Sequence, residues 1–209
     1  MTENWPARWA SGRTGWHETD GNAGLKSHWR VEAESVLVPL CGKSPDLRWL
    51  ALRGHEVIGV ELSEVAVRQF LAEQNLEFIL ESGECLDCYT CTELPITLYC
   101  GDFFNFEGGP FDALYDRAAL VALAADVRPH YVEHMKRLLK PSAAKFVVTL
   151  EYDQSIVSGP PFSVVPAELA SYWGDLKRVY QKDDIDNCPP KFRDAGLEKI
   201  NEVFWASGP

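Results

Sequence analysis

A glycine and an acid near the ends of two consecutive predicted strands are the residues of this chain best suited to bind a ligand. Gly42 lets its backbone approach a ligand closely, because no Cβ intervenes. Glu61 follows about twenty residues later, the spacing at which an acid reaches an adenosine ribose in nucleotide-binding folds. A carboxylate there accepts hydrogen bonds from ribose hydroxyls, each contributing roughly 1.5–3 kcal/mol. The pair therefore predicts a site for an adenosine group.

The glycines that would hold a pyrophosphate are missing from this turn. Dinucleotide sites carry G-x-G-x-x-G and P-loops carry G-x-x-x-x-G-K-[ST], whereas Pro39-Leu40-Cys41-Gly42-Lys43 has a single glycine. We therefore expect an adenosine ligand without phosphates, of which S-adenosylmethionine is the obvious candidate. A non-catalytic nucleotide-binding module, for example one that binds NAD, is the alternative from a different class.

Tryptophans are concentrated in residues 1–30, a segment that also carries two histidines; these residues are Trp5, Trp9, Trp16, His17, His28 and Trp29. Trp5 and Trp9 are four positions apart and share one face of a helix. Aromatic faces attract a sulfonium or stack on adenine, contributing roughly 0.5–2 kcal/mol. The segment is interpreted either as a lid over a bound ligand or as a helix packed on the sheet edge. Glycines around Trp16 favour a loop that closes.

Cys85, Cys88 and Cys91 have the spacing C-x-x-C-x-x-C, which is typical of metal sites. A fourth ligand is hard to find, because Cys100 falls inside a predicted strand and no histidine is near. Alternation in a β-hairpin produces the same spacing. We expect no metal site, and we expect Cys41 and Cys100 to be reduced and buried.

The elements that position the glycine and the acid form a βαβ unit from Ser35 to Phe70. The apolar run 36–40 predicts a strand buried on both faces of a parallel sheet. Ser44, as N-cap, and Pro45 begin a helix that ends at Gly54. A second strand, 57–60, leads to Glu61. Turn and acid thus lie at strand ends, where doubly wound sheets bind ligands.

The rest of the chain continues this pattern. Strands are predicted at 96–100, 111–115 and 145–152, and helices at 65–74, from Asp126 as cap to Leu139, and at 166–173. Residues 78–95 are expected to form a hairpin or an irregular insertion, and 176–182 with 198–205 a closing antiparallel pair. We therefore predict an α/β fold with a doubly wound, mostly parallel, seven-stranded sheet and an antiparallel C-terminal strand pair. Without a repeat or linker, residues 1–209 are expected to form one domain.

Composition restricts the partners. A formal net charge of −11 and a pI near 4.9 argue against a nucleic-acid or anionic-membrane surface. Hydrophobic residues make up 46% of the chain, yet no apolar run approaches the length of a membrane span and no signal peptide is evident. The sequence predicts a cytoplasmic protein, a monomer, that acts on a small molecule.

Motifs along most of the chain resemble those of the thiopurine S-methyltransferases, small S-adenosylmethionine-dependent enzymes with a Rossmann-like fold. The most specific are PLCGK at 39–43, GVELSE at 59–64 and DRAALVA at 116–122. Others are WPARW at 5–9, GWHE at 15–18 and GPPF at 159–162. The cysteine-rich segment around Cys88 has no counterpart among these motifs, and its role is open.

The resemblance implies a set of cofactor contacts, which are Trp5, Trp9, Leu40, Gly42, Glu61, Asp102, Phe103 and Arg117. It also implies that Trp16 lies beside cofactor and substrate, at a position where the family usually has Phe. Pro160 and Phe162 belong to a stiff loop that is either a plain connector or a wall for a planar substrate.

The implied reaction is methyl transfer from S-adenosylmethionine to the sulfur of a small aromatic or heterocyclic thiol. Such a displacement needs alignment and exclusion of water more than a strong base. Asp20 and His17 are candidates to assist. Arg117 either binds a carboxylate or orients the substrate, with a structural ion pair to Asp112 or Asp116 as the alternative. Halide, thiocyanate, selenium or tellurium species are the other acceptors considered.

Overall fold

A nine-stranded sheet forms the centre of the structure, a computed structural model that describes residues 4–208. Residues 1–3 of the predicted N-terminal segment and Pro209 lie outside the described residues. The strands are β1 Ser35–Pro39, β2 Glu56–Glu61, β3 Phe78–Glu81, β4 Leu86–Cys91, β5 Ile96–Gly101, β6 Phe111–Arg117, β7 Leu139–Glu151, β8 Lys177–Asp183 and β9 Asn201–Ser207. The helices are α1 Trp5–Ala10, α2 Ala23–His28, α3 Asp46–Ala51, α4 Glu64–Glu73, α5 Arg128–Leu138, α6 Pro166–Tyr172 and α7 Lys191–Asp194.

The strand order is β3-β4-β5-β2-β1-β6-β7-β9-β8. The five central strands, β5 to β7 in this order, are parallel, and β8 and β9 form the antiparallel pair expected at the C-terminal end. The chain leaves β1 toward β2 on one side and later returns to β6 on the other. This reversal of direction opens a crevice at the carboxyl ends of the strands. The doubly wound α/β prediction is confirmed.

The predicted count of seven strands is wrong, because residues 78–91 add two. They form the hairpin β3–β4, and β4 pairs antiparallel with β5. Tyr89 and Cys91 alternate into the core, whereas Ile79 and Leu80 on the edge strand are exposed. Cys88 and Cys91 are three positions apart on β4, so the two-residue period of the strand places their side chains on opposite faces of the sheet.

The two faces of the sheet carry separate apolar layers. Val36 and Val38 face one layer and Leu37 the other, as expected for a strand buried on both sides. Trp29 is 1% exposed and its indole N–H donates to Nε2 of His55 at 3.2 Å. This tryptophan therefore belongs to the core rather than to a lid over a ligand.

Two predicted helix caps differ from the observed ones. Helix α3 begins at Asp46 with Pro45 as N-cap, although the Ser44 hydroxyl still accepts a hydrogen bond from the Asp46 N–H at 3.2 Å. Helix α5 begins at Arg128, and the exposed Asp126 makes no cap. Buried Arg128 instead pairs with Glu168 at 2.8 Å. Within residues 4–208, no helix has the length and apolar character that a membrane crossing requires.

Candidate active site

A cavity of about 210 Å³ opens at the carboxyl ends of β1, β2, β5 and β6. All eight candidate cofactor contacts line it: Trp5, Trp9, Leu40, Gly42, Glu61, Asp102, Phe103 and Arg117. We call it the main cavity. Each strand end contributes a residue, because parallel strands bring their carboxyl ends to one edge of the sheet.

Glu61 ends β2 and is 6% exposed. Its two carboxylate oxygens each accept a backbone hydrogen bond, from the Gly42 N–H and the Ser63 N–H, both at 2.8 Å. Burial raises the pKa of Glu61, and these backbone hydrogen bonds oppose the rise. Each carboxylate oxygen has a further lone pair. The side chain is thus fixed in place and still able to accept hydrogen bonds from a ligand.

Gly42 is required here for a reason that sequence reasoning missed. Its φ is +57°, and a Cβ on it would lie 2.9 Å from Cζ2 of Trp9. The group that approaches the bare backbone is therefore an indole ring from α1. Leu40 and Ala118, which also line the main cavity, have φ of 47° and 62°. Left-handed backbone at such residues is costly and is typical of functional sites.

Three tryptophans form the aromatic wall of the main cavity. The ring of Trp16 meets those of Trp5 and Trp9 edge to face, with centroids 5.2 and 5.6 Å apart. The guanidinium of Arg8 lies 4.6 Å from the centroid of Trp16. The cavity-covering part of the N-terminal segment is thus 5–17, which we call the aromatic strap. Its aromatic rings suit a sulfonium.

Arg117, at the end of β6, ties the aromatic strap to the sheet. Its Nη1 donates to the Trp16 carbonyl at 2.9 Å, and its Nη2 lies 2.8 Å from Oε1 of Glu18. The alternative of an ion pair with Asp112 or Asp116 is wrong, because the carboxylate that pairs with Arg117 is that of Glu18. Asp112 pairs with Lys140 instead, and strand alternation sends Asp116 to the opposite face. Glu18 belongs to the GWHE motif, which was the signal available in the sequence.

The two acids of β6 have partners of their own. Asp112 pairs with Lys140 at 2.6 Å. Asp116 accepts hydrogen bonds from the Tyr131 hydroxyl at 2.8 Å and from the Leu120 N–H at 3.1 Å. Burial raises the pKa of Asp116 to about 6 in spite of these bonds. This carboxyl lies one residue from Arg117, and its burial and raised pKa were not predicted from the sequence.

The two candidates for proton transfer have different positions. His17 lines the main cavity, and burial followed by the charge of Lys43 lowers its pKa. Its imidazole is therefore neutral at pH 7. The Asp20 side chain is exposed and lines neither cavity described here. Its carbonyl accepts a hydrogen bond from Lys26. The structure does not bring Asp20 to the site.

A second, smaller cavity of about 60 Å³ adjoins the main one. The two share Trp16, Arg117 and Ala118, so these residues form a common wall. Pro161 lines the second cavity, whereas its neighbours Pro160 and Phe162 line neither. The Phe162 N–H instead donates to the Val121 carbonyl at 2.6 Å, which fixes the loop. The loop therefore reaches the site through Pro161, and the prediction of Pro160 and Phe162 as lining residues is wrong.

The cysteines stay free thiols in the described structure. Burial and the charge of Glu61 raise the pKa of Cys41, and they raise that of Cys100 to about 11. Cys85 is exposed and directly precedes β4. Among residues 4–208 no cluster of three or more His, Cys, Asp or Glu side chains could hold a metal ion.

This fold is also found in solved methyltransferase structures. A solved structure shares the fold: a Burkholderia thailandensis 1,6-didemethyltoxoflavin-N1-methyltransferase with bound 1,6-didemethyltoxoflavin and S-adenosylhomocysteine. It superposes with a TM-score of 0.61 at 19% identity, over 97% of this chain and 85% of that one.

Sequence comparison gives the family within that class. The family model described as Thiopurine S-methyltransferase (TPMT) matches residues 1–207. A thiopurine S-methyltransferase of Vibrio atlanticus is 43% identical over 97% of this chain and 95% of its own length. One from Pseudomonas fluorescens is 42% identical over 97% and 96%. The chain belongs to the thiopurine S-methyltransferase family, and its cofactor is S-adenosylmethionine.

Proposed function

We propose that this methyltransferase acts on the sulfur of a small aromatic or heterocyclic thiol. The observation that carries the proposal is the common wall of Trp16, Arg117 and Ala118 between the two cavities. It brings a compact second space directly beside the cavity that suits the cofactor. The names of the curated relatives support the same acceptor class.

The residues of the main cavity fit S-adenosylmethionine. Glu61 keeps lone pairs for the ribose hydroxyls, and the rings of the aromatic strap would face the sulfonium. Arg117 has guanidinium N–H groups beyond those used by Trp16 and Glu18, which suit the cofactor's carboxylate. Asp102 and Phe103 would flank the adenosine side. NAD fits poorly, because the Gly42 N–H, the amide of the single-glycine turn, already donates to Glu61.

Alignment and exclusion of water are the main tasks left to the protein. When bound, S-adenosylmethionine supplies a methyl group already activated by a sulfonium charge, so no strong base is needed. The positive charge of Arg117 favours an acceptor in its thiolate form. Neutral His17 is available to take the thiol proton. The aromatic strap keeps water from the reacting groups.

The net charge of −11 supports a small-molecule acceptor rather than a nucleic acid. That the protein is a cytoplasmic monomer stays a prediction from sequence.

A methyl-transfer assay tests the proposal. S-adenosylhomocysteine production is followed with a panel of aromatic thiols, iodide, thiocyanate and oxyanions of selenium and tellurium, and calorimetry with S-adenosylhomocysteine and NAD runs in parallel. We expect turnover of the thiols and binding of S-adenosylhomocysteine without binding of NAD. Turnover of an inorganic acceptor with no thiol turnover would overturn the thiol assignment. Tight NAD binding without S-adenosylhomocysteine binding would contradict the proposed cofactor contacts.

A further inference from the structure

We propose that the second cavity selects acceptors that carry a cationic or N–H-donating group, through the carboxylates of Asp184 and Glu202. This inference rests on the proposed function, since it takes the second cavity as the place of the acceptor. It concerns the end of that cavity that faces away from the main one.

Two buried acids line this end of the second cavity. Asp184 is 8% exposed and Glu202 is 3% exposed. Oδ1 of Asp184 accepts a hydrogen bond from the Asn187 side chain at 2.8 Å and lies 2.9 Å from Nζ of Lys182. No hydrogen bond from residues 4–208 reaches its Oδ2. One oxygen of a nearly buried carboxylate is thus available to a ligand in the cavity.

The charges around this cavity do not balance. Arg117 is already paired with Glu18 at 2.8 Å. Lys182 is shared by Asp184 and Glu202, at 2.9 and 3.0 Å. Among these five groups three carboxylates face two cations, and burial followed by the negative charge of Asp184 raises the pKa of Glu202, as expected where negative charge is in excess.

Cys188, another residue of the lining, does not offset this excess. Burial first, and then the negative charges of Asp184, Glu202 and Asp183, raise the pKa of its thiol to about 12. The thiol is therefore neutral at pH 7. Its raised pKa has the same electrostatic cause as the proposed preference, because a nearby negative charge disfavours a further one.

A ligand in such a space is selected by charge. An anionic group beside the two acids would be repelled and would also lose its hydration. A cationic or N–H group would donate to Oδ2 of Asp184 while the acceptor sulfur lies toward Trp16 and Arg117. Val121, Leu150 and Pro161 supply apolar walls for the ring between these ends. The acceptor class is thus a compact ring thiol with a basic or amide-like group away from the sulfur.

The test compares three matched para-substituted benzenethiols: aminomethyl (cationic), methyl (neutral) and carboxyl (anionic). With the full-length enzyme and S-adenosylmethionine, kcat/KM is measured for each at pH 7.5 in low salt. We expect the cationic thiol to exceed the anionic one by roughly tenfold or more. Asp184→Asn should reduce this ratio by at least about threefold. Asp186→Asn is the matched control, because that side chain is 90% exposed and should leave the ratio unchanged.

The outcomes separate this inference from the proposed function. Equal turnover of the three thiols, or preference for the anionic one, would overturn the charge selection and leave the thiol assignment standing. Absence of turnover with every thiol, with S-adenosylhomocysteine binding intact, would overturn the thiol assignment and this inference with it. Should Asp184→Asn fail to fold, Glu202→Gln measures the same loss of negative charge, and an unchanged ratio there counts against the inference.

Discussion

The two sides of the main cavity are built in different ways. On one side, the Glu61 carboxylate is fixed by the backbone of Gly42 and Ser63, within one βαβ unit. On the other side, Arg117 is fixed by Trp16 on the aromatic strap and by Glu18 directly after it, about a hundred positions away in the chain. The first side needs only local structure, whereas the second exists only once the strap is docked. The difference predicts that changes to Arg117 disturb more than changes to Glu61.

The largest effect is expected for Arg117→Ala. It removes the contacts to Trp16 and Glu18 and leaves Glu18 without its cation. Hydrogen bonds that involve a charged group contribute roughly 1.5–3 kcal/mol each. We expect kcat/KM for a thiol to fall about a hundredfold, near 2.7 kcal/mol. Steady-state kinetics measure this. Arg178→Ala, an exposed arginine paired with Glu151, is the control and should keep full activity. Wild-type kcat/KM in Arg117→Ala would refute its role.

Glu61→Ala comes next. Loss of the acceptor for the ribose hydroxyls should weaken S-adenosylhomocysteine binding at least tenfold, about 1.4 kcal/mol. Calorimetry measures the Kd. Glu64→Ala removes an acid that is 55% exposed in the following turn and should bind normally. If the Glu61 variant keeps wild-type affinity, the ribose role is wrong.

Gly42→Ala tests the contact between the turn of the βαβ unit and Trp9 of the aromatic strap. The new Cβ meets Trp9 at 2.9 Å in a left-handed backbone, so we expect a stability loss of about 1–2 kcal/mol together with weaker cofactor binding. Gly54→Ala, also at positive φ but with nothing within 4 Å, should lose stability alone. Thermal unfolding and calorimetry on both variants separate strain from the clash. Equal cofactor affinity in the Gly42 and Gly54 variants would show that the position of Trp9 does not depend on the absence of a side chain at residue 42.

The smallest effect concerns Asp116, behind Arg117 on β6. Its pKa is raised to about 6 by burial, so the folded state binds a proton that the unfolded state has released. Its contribution to stability is present at low pH and is lost as pH rises through about 6. Between about pH 5 and pH 7 the free energy of unfolding should fall by about 1 kcal/mol from this group.

Denaturant unfolding of wild type and Asp116→Asn across that range measures the difference. The Asn variant should lose this part of the pH dependence, because its amide does not titrate and can donate to Tyr131. A wild-type slope in the variant would mean that Asp116 titrates in its ordinary range.

Sequence reasoning identified the local half of the site and, through the family motifs, Trp16 and Arg117 of the assembled half, but it missed the contacts that hold the assembled half together. Gly42 and Glu61 could be predicted because a turn and a strand end determine their positions. Trp5 and Trp9 could be predicted because helical spacing puts them on one face. Asp20 and Glu18 are both acids close to Trp16, and nothing in the spacing says which one meets Arg117. Pro161 was missed for the same reason, since only the folded loop decides which proline faces the cavity.

The same division between local and assembled structure separates the parts of the fold that the sequence predicted from those that it did not. The apolar strands 36–40 and 57–60 predicted the parallel centre and its crevice, because burial on both faces leaves a continuous apolar run. The hairpin β3–β4 was left open between two interpretations, because its exposed edge strand carries Ile79 and Leu80 without the polar alternation of a half-buried strand.

The shared wall also constrains how the acceptor range of such an enzyme can diverge. Trp16, Arg117 and Ala118 border both cavities. With donor and acceptor placed as proposed, a substitution there that admits a new acceptor also alters binding of the methyl donor. Asn187, Cys188 and Pro189 border the second cavity and are absent from the lining of the first. New acceptor preferences can therefore accumulate at these three positions while donor recognition is inherited intact.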